Sequence, residues 1–332
     1  MNIEDIKNKI RKSDNIGLFY GKTGASIASF ILQNKKLGLD KQFAEELLTD
    51  VLDKISDNMP LNISCGLSGV GLGINFLIQK EYVEGNSDNV LKDVDDLIFK
   101  KIVYYNNNDK IDCVGLCDIL YYTLVRLKTG LKNKMERTVF EEFAKKMINL
   151  IYIGRNIDFF EEPLPYNIYY PLPCFLYLCS YMHDMGLYRN RIVHLLNEIK
   201  PMAFSRIPFL HCNRLTLMSA VVCVANSTND SDWYEYLSLL HRSFSFDKIL
   251  DRETGYKQTF LSDGLLGIYC LAYEYNKNCV DNSLKLLIPN KLQDRLLKGF
   301  ELMDIEEYKQ RGQLGLDGIL GILLFNKLTS IK

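Results

Sequence analysis

Two kinds of hydrophobic pattern alternate along this chain. The first is amphipathic: in 41–56 apolar side chains such as Phe43, Leu47 and Val51 recur at three- and four-residue steps, which predicts a helix with one buried face. The second is apolar on nearly every side, as in 66–78, which predicts a helix enclosed all round. Strand signals are sparse, because no Asn-Gly or Asp-Gly turn joins two alternating runs. The pattern therefore predicts an all-α fold.

The apolar segments recur at a spacing of 41 to 56 residues. Their seven starts are Gly21, Gly66, Gly115, Pro171, Cys212, Gly264 and Gly318. A more polar, amphipathic segment precedes each start, in 3–12, 41–56, 90–103, 136–151, 188–200, 233–244 and 283–302. A repeat of this length has room for two helices. The sequence therefore predicts about seven helical hairpins, about 14 helices in all, as one domain over 1–332.

The two helix types indicate how the hairpins are arranged. Helices that are apolar all round fit an inner ring, and amphipathic helices fit an outer ring, whereas an open superhelix would leave the first type half exposed. A glycine inside a helix costs roughly 0.5–1 kcal/mol relative to alanine, so the pairs Gly66/Gly69 and Gly264/Gly267 indicate a geometric need. We expect inner helices to crowd together at one end there. The predicted architecture is an α/α toroid.

Three segments resemble motifs of the lanthionine synthetase C-like (LanC) family. The run Cys-Gly-Leu-Ser-Gly-Val-Gly at 65–71 is similar to the family's Asn-Gly-Leu-Ser/Ala-Gly-Ile-Gly segment. The stretch 264–268 resembles the one after the family's Cys-His pair, and 315–321 resembles its last inner-helix motif. The likeness covers the full length in repeat number and order. It implies a double ring of seven helical hairpins.

The resemblance also implies an activity, the formation of thioether (lanthionine) rings in ribosomal peptide natural products. Family cyclases hold zinc through a Cys in the fifth repeat and a Cys-His pair before the sixth, and the metal activates a substrate thiol. Here Ser262 and Asp263 replace the Cys-His pair, and the family's Cys falls at Leu210 or His211. We therefore expect no metal ligands and no cofactor. Zinc would need a rearranged site built from His211, Cys212 and Asp263.

The candidate site residues cluster around these departures from the family pattern. The candidate catalytic residues are His211 and Asp263. The candidate substrate-binding residues are Cys212, Arg214, Ser262, Tyr169 and Tyr170. The two tyrosines belong to an aromatic, proline-containing stretch at 159–173, which we expect to form a loop at the ring mouth. Its aromatic side chains would act as a lid, receive a peptide, or simply pack under the loop.

Polar residues stand before several of the apolar segments. Side chains of this kind cap helix N-termini by accepting backbone N–H hydrogen bonds, and we favour that role over catalysis for each one. The residues are Ser64, Asp112, Ser262, Asp263 and Asp317.

Charge indicates which partners to expect, and the cysteine content indicates the cellular compartment. Lys and Arg number 40 against 41 Asp and Glu, so a generic binder of nucleic acid or anionic membranes is excluded. Nine cysteines without regular spacing are typical of reduced thiols in a cytoplasmic protein. No apolar run reaches the roughly 20 residues of a membrane-spanning helix, and the N-terminus lacks a signal-peptide pattern. We expect a cytoplasmic protein without a transmembrane segment.

Three functions follow from these patterns. The first is a LanC-like protein, either a cyclase with altered chemistry or a non-catalytic pseudoenzyme that receives a precursor or modified peptide, with a dehydratase or transporter as further partner. The second is a carbohydrate-active α/α-barrel enzyme that uses Asp263, Asp317 or Asp112 as acid and base. The third is a scaffold that binds proteins on its outer face. The seven repeats in register favour the first.

Overall fold

Helices make up the regular structure of this chain. The computed structural model describes residues 3–34, 39–103, 112–255, 258–302 and 314–329. Within these ranges the β-pairing is limited to an isolated bridge between Asn34 and Leu39, which confirms the predicted all-α class. No helix in the described ranges has the length and apolar character needed to cross a bilayer.

The long helices follow one another in pairs that match the predicted repeat. In chain order they are α1 (Ile3–Lys12), α2 (Lys22–Leu32), α3 (Lys41–Asp53), α4 (Leu67–Gln79), α5 (Lys92–Val103), α6 (Cys113–Thr129), α7 (Lys134–Ile153), α8 (Pro171–Asp184), α9 (Arg189–Phe204), α10 (His211–Thr228), α11 (Ser231–Arg242), α12 (Leu265–Asn278), α13 (Asn290–Leu302) and α14 (Ile319–Thr329). The even-numbered helices begin within two residues of the seven predicted starts.

The helix count differs from the predicted 14. The described residues contain 17 α-helices, because three short ones lie in the connections, at Ser87–Val90, Ile157–Phe160 and Phe246–Lys248. A π-helical turn at Ile249–Glu253 and a 3-10 turn at Asn282–Leu284 add to them. Asn86 and Asn156 cap the first two short helices through their side chains. Single turns of this kind are too short to produce a hydrophobic period, so the sequence pattern did not predict them.

The chain divides into two compact units, Met1–Arg137 together with Met303–Lys332, and Thr138–Leu302. In the first unit the even-numbered helices lie side by side in the order α14, α2, α4, α6. The last helix of the chain therefore packs against the first hairpin. Lys327 on α14 donates hydrogen bonds to the carbonyl oxygens of Ile31 and Leu32 at 2.7 and 2.8 Å, which satisfies two carbonyls at the end of α2.

The second unit is arranged around α10. This helix packs against α8, α11 and α12, and it is buried along most of its length, as its uniformly apolar pattern predicts. The amphipathic helices α9 and α11 meet through Phe204 and Trp233, whose rings pack edge to face with centroids 4.8 Å apart. The only tryptophan of the chain is therefore a buried packing residue of α11.

Before three of the even-numbered helices, α2, α4 and α12, the preceding loop runs back along the first turn of the helix. In three repeats a backbone N–H of the first turn donates to the carbonyl oxygen seven residues earlier, over 2.9 to 3.5 Å. These pairs are Lys22 to Asn15, Thr23 to Ile16, Gly24 to Gly17, Leu67 to Pro60, Gly69 to Asn62, Leu265 to Gln258 and Gly267 to Phe260. We call these segments, 15–21, 60–66 and 258–264, the approach loops. They satisfy helix N-termini with main-chain carbonyls.

The approach loops explain the paired glycines. A Cβ on Gly69 would lie 1.8 Å from the carbonyl oxygen of Ile63, and one on Gly267 would lie 2.0 Å from that of Leu261. The principal clash is thus with the loop that precedes the same helix. For these pairs the backbone of the loop fills the space that a side chain would need. Neighbouring even-numbered helices do approach α4 closely further along it, because a Cβ on Gly71 would lie 2.4 Å from the Tyr122 ring and one on Gly73 would lie 2.2 Å from Thr23.

Side-chain capping occurs at fewer helices than the sequence predicts. Asp112 caps α6 by accepting a hydrogen bond from the N–H of Gly115 at 2.7 Å, which confirms one prediction. The prediction was wrong for Ser64, whose hydroxyl donates to Oδ1 of Asn62 at 3.3 Å. The N-cap residues of α4 and α12 are Gly66 and Gly264, which have no side chain to offer, and the approach loops supply carbonyl acceptors at both helix starts.

A buried carboxyl group holds the approach loop of α4. Asp118 on α6 accepts a hydrogen bond from the N–H of Ile63 at 2.9 Å, and its residue is 9% exposed. Burial raises the pKa of Asp118 to about 6, and the nearby Asp112 charge acts in the same direction, while the Ile63 N–H opposes both. Asp118 thus exchanges a proton near neutral pH while it positions the loop.

Substitution of Gly69 by alanine tests the close approach of loop and helix. We expect Gly69→Ala to lower the free energy of unfolding by about 2–4 kcal/mol, because its Cβ forces the backbone at Ile63 to move. Gly255→Ala is the control, since its Cβ would meet only the Gln258 side chain, at 3.6 Å or more. Urea denaturation measures both changes. Equal losses for the two variants would contradict the proposed steric role.

A pH series tests the role of Asp118. Its folded pKa of about 6 lies above the unfolded value near 3.8, so its contribution to stability is present at low pH and is lost as pH rises through 4 to 6. We expect Asp118→Asn, relative to the wild type, to gain roughly 2–3 kcal/mol in unfolding free energy between pH 4 and pH 7. Urea denaturation at both pH values measures the gain. A difference in unfolding free energy between the two proteins that stays constant with pH would show that folding does not shift the pKa of Asp118.

Candidate functional site

A cavity of about 890 Å³ lies beside the N-terminus of α10 in the second unit. Three stretches of chain form its wall: residues 207–211 at the start of α10, 242–245 at the end of α11, and the helical segment that ends at Glu253. Its volume falls in the range of pockets that bind small molecules or peptide side chains.

Two distant carboxylates hold the first turn of α10. Glu253 accepts hydrogen bonds from the N–H groups of His211 at 2.8 Å and Cys212 at 2.9 Å. Glu162 accepts from the N–H groups of Phe209 and Leu210, the latter at 3.1 Å. These side chains replace the missing cap of α10 and place negative charge at the positive end of its dipole.

His211 is a buried, neutral donor in the wall of the cavity. Its Nδ1 accepts a hydrogen bond from the N–H of Ser245 at 3.1 Å, so the proton of the neutral ring lies on Nε2. Burial lowers the pKa of His211, and Arg214 and Lys248 lower it further, while Glu253 opposes them. The imidazole is therefore neutral at pH 7 and has a hydrogen available for donation.

Arg214 carries a positive charge into the same wall. It is 8% exposed, and its Nη2 donates to the carbonyl oxygen of Pro208 at 2.7 Å, while Nη1 donates to that of Ser243. These bonds join the loop before α10 to the end of α11. Its Nε is buried without a hydrogen-bond partner. The charges of Glu253 and Glu162 act on Arg214 and offset its positive charge in part.

The rim of the cavity combines cations with exposed apolar surface. Arg242, Lys248 and Arg252 are exposed, and each lines the cavity. Phe209 is 80% exposed and Ile207 45% exposed on the opposite stretch of the wall. Arrangements of this kind, with apolar anchors beside charged groups, are typical of peptide-binding surfaces.

The structure brings only two of the predicted site residues into this cavity, His211 and Arg214. Cys212 is fully buried, and burial together with the Glu253 charge raises the pKa of its thiol far above the usual range. Ser262 is buried and accepts a backbone hydrogen bond from Ile168. Asp263 is half-buried and does not line the cavity. The predicted catalytic pair His211 and Asp263 therefore does not line this cavity together.

The predicted aromatic loop at the mouth packs inward. Phe159 is buried against Phe160 and Phe175, with ring centroids 5.0 and 5.5 Å apart. Tyr170 is buried, and its hydroxyl donates to the carbonyl oxygen of Phe160 at 3.5 Å, so its ring has no surface for a ligand. Tyr169 is half-buried and does not line the cavity. Of the roles considered for this stretch, ordinary packing under a loop matches the described side chains.

The residues of the rearranged zinc site, His211, Cys212 and Asp263, do not fit that metal. Nδ1 of His211 is engaged by Ser245, and the Cys212 thiol is enclosed and held protonated by its surroundings. Within the described ranges no three His, Cys, Asp or Glu side chains are placed together as a metal site. Zinc requires about four well-placed nitrogen or sulfur ligands, or three with an open position.

Asp317 and Asp112, two of the carboxylates predicted to act in sugar chemistry, lie in positions typical of structural residues. Asp317 is fully buried, and its backbone N–H donates to the carbonyl oxygen of Phe19 at 3.0 Å. Asp112 caps α6. None of these positions favours an acid–base pair in an open cleft.

Sequence reasoning missed most residues of the cavity. Glu253 and Glu162 act on α10 from 41 and more residues away along the chain, and such long-range capping leaves no local pattern. Arg242, Lys248 and Arg252 lie within eleven residues that also include two phenylalanines, and this basic and aromatic stretch is the one signal that was available.

Comparisons of the chain with models of known protein families and with curated proteins gave no match. The likeness to the LanC family therefore rests on the repeat and on the glycine motifs.

Removal of the Glu253 carboxylate tests its role at α10. We expect Glu253→Ala to lower the unfolding free energy by about 2–4 kcal/mol and Glu253→Gln by about half as much, because the amide keeps one acceptor oxygen. Glu235→Gln serves as the control, since that side chain is exposed on α11. Thermal and urea denaturation provide the readout. An effect of Glu253→Ala no larger than that of the control would rule out the capping role.

Proposed function

We propose that this chain is a LanC-like protein of ribosomal peptide natural-product maturation that binds a peptide without zinc-dependent cyclisation. The observation that carries the proposal is the cavity beside α10. It lies at Leu210 and His211, where the resemblance puts a zinc ligand of the family cyclases. The chain thus has a binding space at that position, lined by groups that recognise a ligand rather than a metal.

The proposal includes a closed double ring of hairpins. Its support is the packing of α14 against α2, which puts the last repeat beside the first. Backbone hydrogen bonds from Leu316 to Leu18 and from Asp317 to Phe19 join the loops of those two repeats. An open superhelix would keep its first and last repeats apart. The order α8, α10, α12 in the second unit has the same pattern of neighbouring even-numbered helices.

A peptide suits the chemistry of the cavity. Phe209 offers an exposed ring to an apolar side chain, and Nε2 of His211 offers a hydrogen to a carbonyl oxygen. A volume of about 890 Å³ holds several residues of an extended chain. A dehydratase or a transporter in the cytoplasm would supply or receive this peptide.

The proposed absence of zinc-dependent cyclisation follows from the side chains that line the cavity. In zinc cyclases the metal lowers the thiol pKa and keeps the sulfur ionised at neutral pH. This cavity contains cations that would attract a thiolate, but it has no ligand set to hold a metal that ionises a thiol. The protein would therefore bind a modified peptide and leave its thiols free.

Metal analysis with a thiol assay tests the proposal. We expect less than about 0.1 zinc per chain in protein purified without an affinity tag, and no rise in melting temperature with added zinc. A dehydrated peptide with one cysteine should bind and keep its thiol reactive. Because cyclisation leaves the mass unchanged, alkylation of the remaining thiol followed by mass spectrometry provides the readout.

The non-catalytic role and peptide recognition would each be contradicted by a different result. Stoichiometric zinc with enzyme-dependent loss of the thiol would establish cyclase activity and overturn the non-catalytic role. Failure of the dehydrated peptide and its undehydrated form to bind at millimolar concentration would overturn peptide recognition.

A further inference from the structure

The charges around the cavity beside α10 are strongly unbalanced. Four cationic side chains line it, namely Arg214, Arg242, Lys248 and Arg252, against the single carboxylate of Glu253. Both oxygens of Glu253 already accept hydrogen bonds from the backbone of α10. The wall is therefore positive, although the whole chain has a net charge of −1.

The rim cations have no acidic partner in the described parts of the chain. Arg242 donates from Nε to the carbonyl oxygen of Ser238, which leaves its terminal nitrogens for a ligand. Lys248 and Arg252 form no ion pair there. Arg252 stands between two acidic residues in the sequence. Asp251 pairs with Lys291 at 3.0 Å and does not line the cavity, and both oxygens of Glu253 accept hydrogen bonds from the backbone of α10.

The backbone of α10 does not supply the anion-binding groups. Glu253 and Glu162 together engage the N–H groups of residues 209–212. A negative ligand would therefore meet side-chain cations, with the buried Arg214 behind them. Guanidinium groups bind carboxylates in a two-pronged geometry, which favours an anion of fixed shape over diffuse charge.

The surroundings limit the length of an anionic segment. A second groove of about 630 Å³ lies along α9 and α11, and it shares Arg242 with the cavity. Asp232 and Glu235 line that groove. Like charges repel, so a long acidic chain would be opposed there, whereas one or two carboxylates fit in the cavity alone.

We propose that the cavity recognises a short acidic segment of a peptide, with its carboxylates on Arg242, Lys248 and Arg252 and an adjoining aromatic or aliphatic side chain on Phe209. This inference rests on the proposed peptide-binding function and names the chemistry of its ligand. The carboxylates supply selectivity and faster association, and the apolar side chain supplies contact area.

Two fluorescein-labelled heptapeptide pools test this selectivity by fluorescence anisotropy. Both pools have a central phenylalanine and four random positions; one contains two Asp or Glu residues and the other contains Asn or Gln instead. The proteins are the wild type, the triple variant Arg242→Gln, Lys248→Gln, Arg252→Gln, and the single variant Lys248→Gln. The control triple is Lys277→Gln, Lys285→Gln, Lys298→Gln, which removes the same charge from exposed sites of the second unit that do not line the cavity.

We expect the acidic pool to bind the wild type about tenfold more tightly than the amide pool. The cavity triple variant should lose about tenfold affinity for the acidic pool, Lys248→Gln about twofold to threefold, and the control triple less than twofold. The difference between pools should shrink as sodium chloride rises from 50 to 300 mM.

Other outcomes would contradict acidic recognition, peptide binding at this cavity, or a peptide as its ligand. Equal binding of the two pools, or equal losses in the cavity and control triples, would contradict acidic recognition and leave peptide binding intact. Absence of binding by either pool would contradict peptide binding at this cavity as well. If millimolar inorganic phosphate displaced the acidic pool, and phosphate alone bound as tightly as that pool, the cavity would be assigned to small anions.

Discussion

The close approach of each approach loop to the helix that follows it is the constraint on which the rest depends. Backbone carbonyls take the place of side-chain caps, and only glycine leaves room for them, as at Gly69 and Gly267. Because the helix start is held by main-chain atoms, the side chains nearby are not needed for capping. In the first unit the approach loop 15–21 also accepts backbone hydrogen bonds from the segment that precedes α14.

Helix α10 begins differently, and the candidate site lies there. It starts at His211 without a glycine or a side-chain cap of its own, and two carboxylates from distant parts of the chain complete its first turn. Holding those carboxylates in place fixes the loop 207–210 and the segment ending at Glu253, which are two walls of the cavity. The helix start that two distant carboxylates complete thus opens onto a large, positively charged space.

The hydrophobic pattern predicted the positions of helices, which depend on residues that are close together in the sequence. The start of helix α10 was predicted within one residue, because a mostly apolar run over 215–225, interrupted by Thr216 and Ser219, marks the helix. The cavity depends on contacts such as that between Glu253 and Cys212, 41 residues apart, which leave no period in the sequence. Tyr170 shows a second limit: the sequence identifies an aromatic residue, but only packing against Phe160 decides that it is buried.

Hydrogen–deuterium exchange measured at single-residue resolution tests the central constraint most directly. The amides of Leu67, Gly69, Leu265 and Gly267 bond to carbonyls seven residues earlier, and those of His211 and Cys212 bond to Glu253. We predict that these six first-turn amides exchange as slowly as the interiors of their helices. Exchange at the rate of an unprotected helix N-terminus would show that the approach loops and the Glu253 clamp do not hold these helix starts in solution.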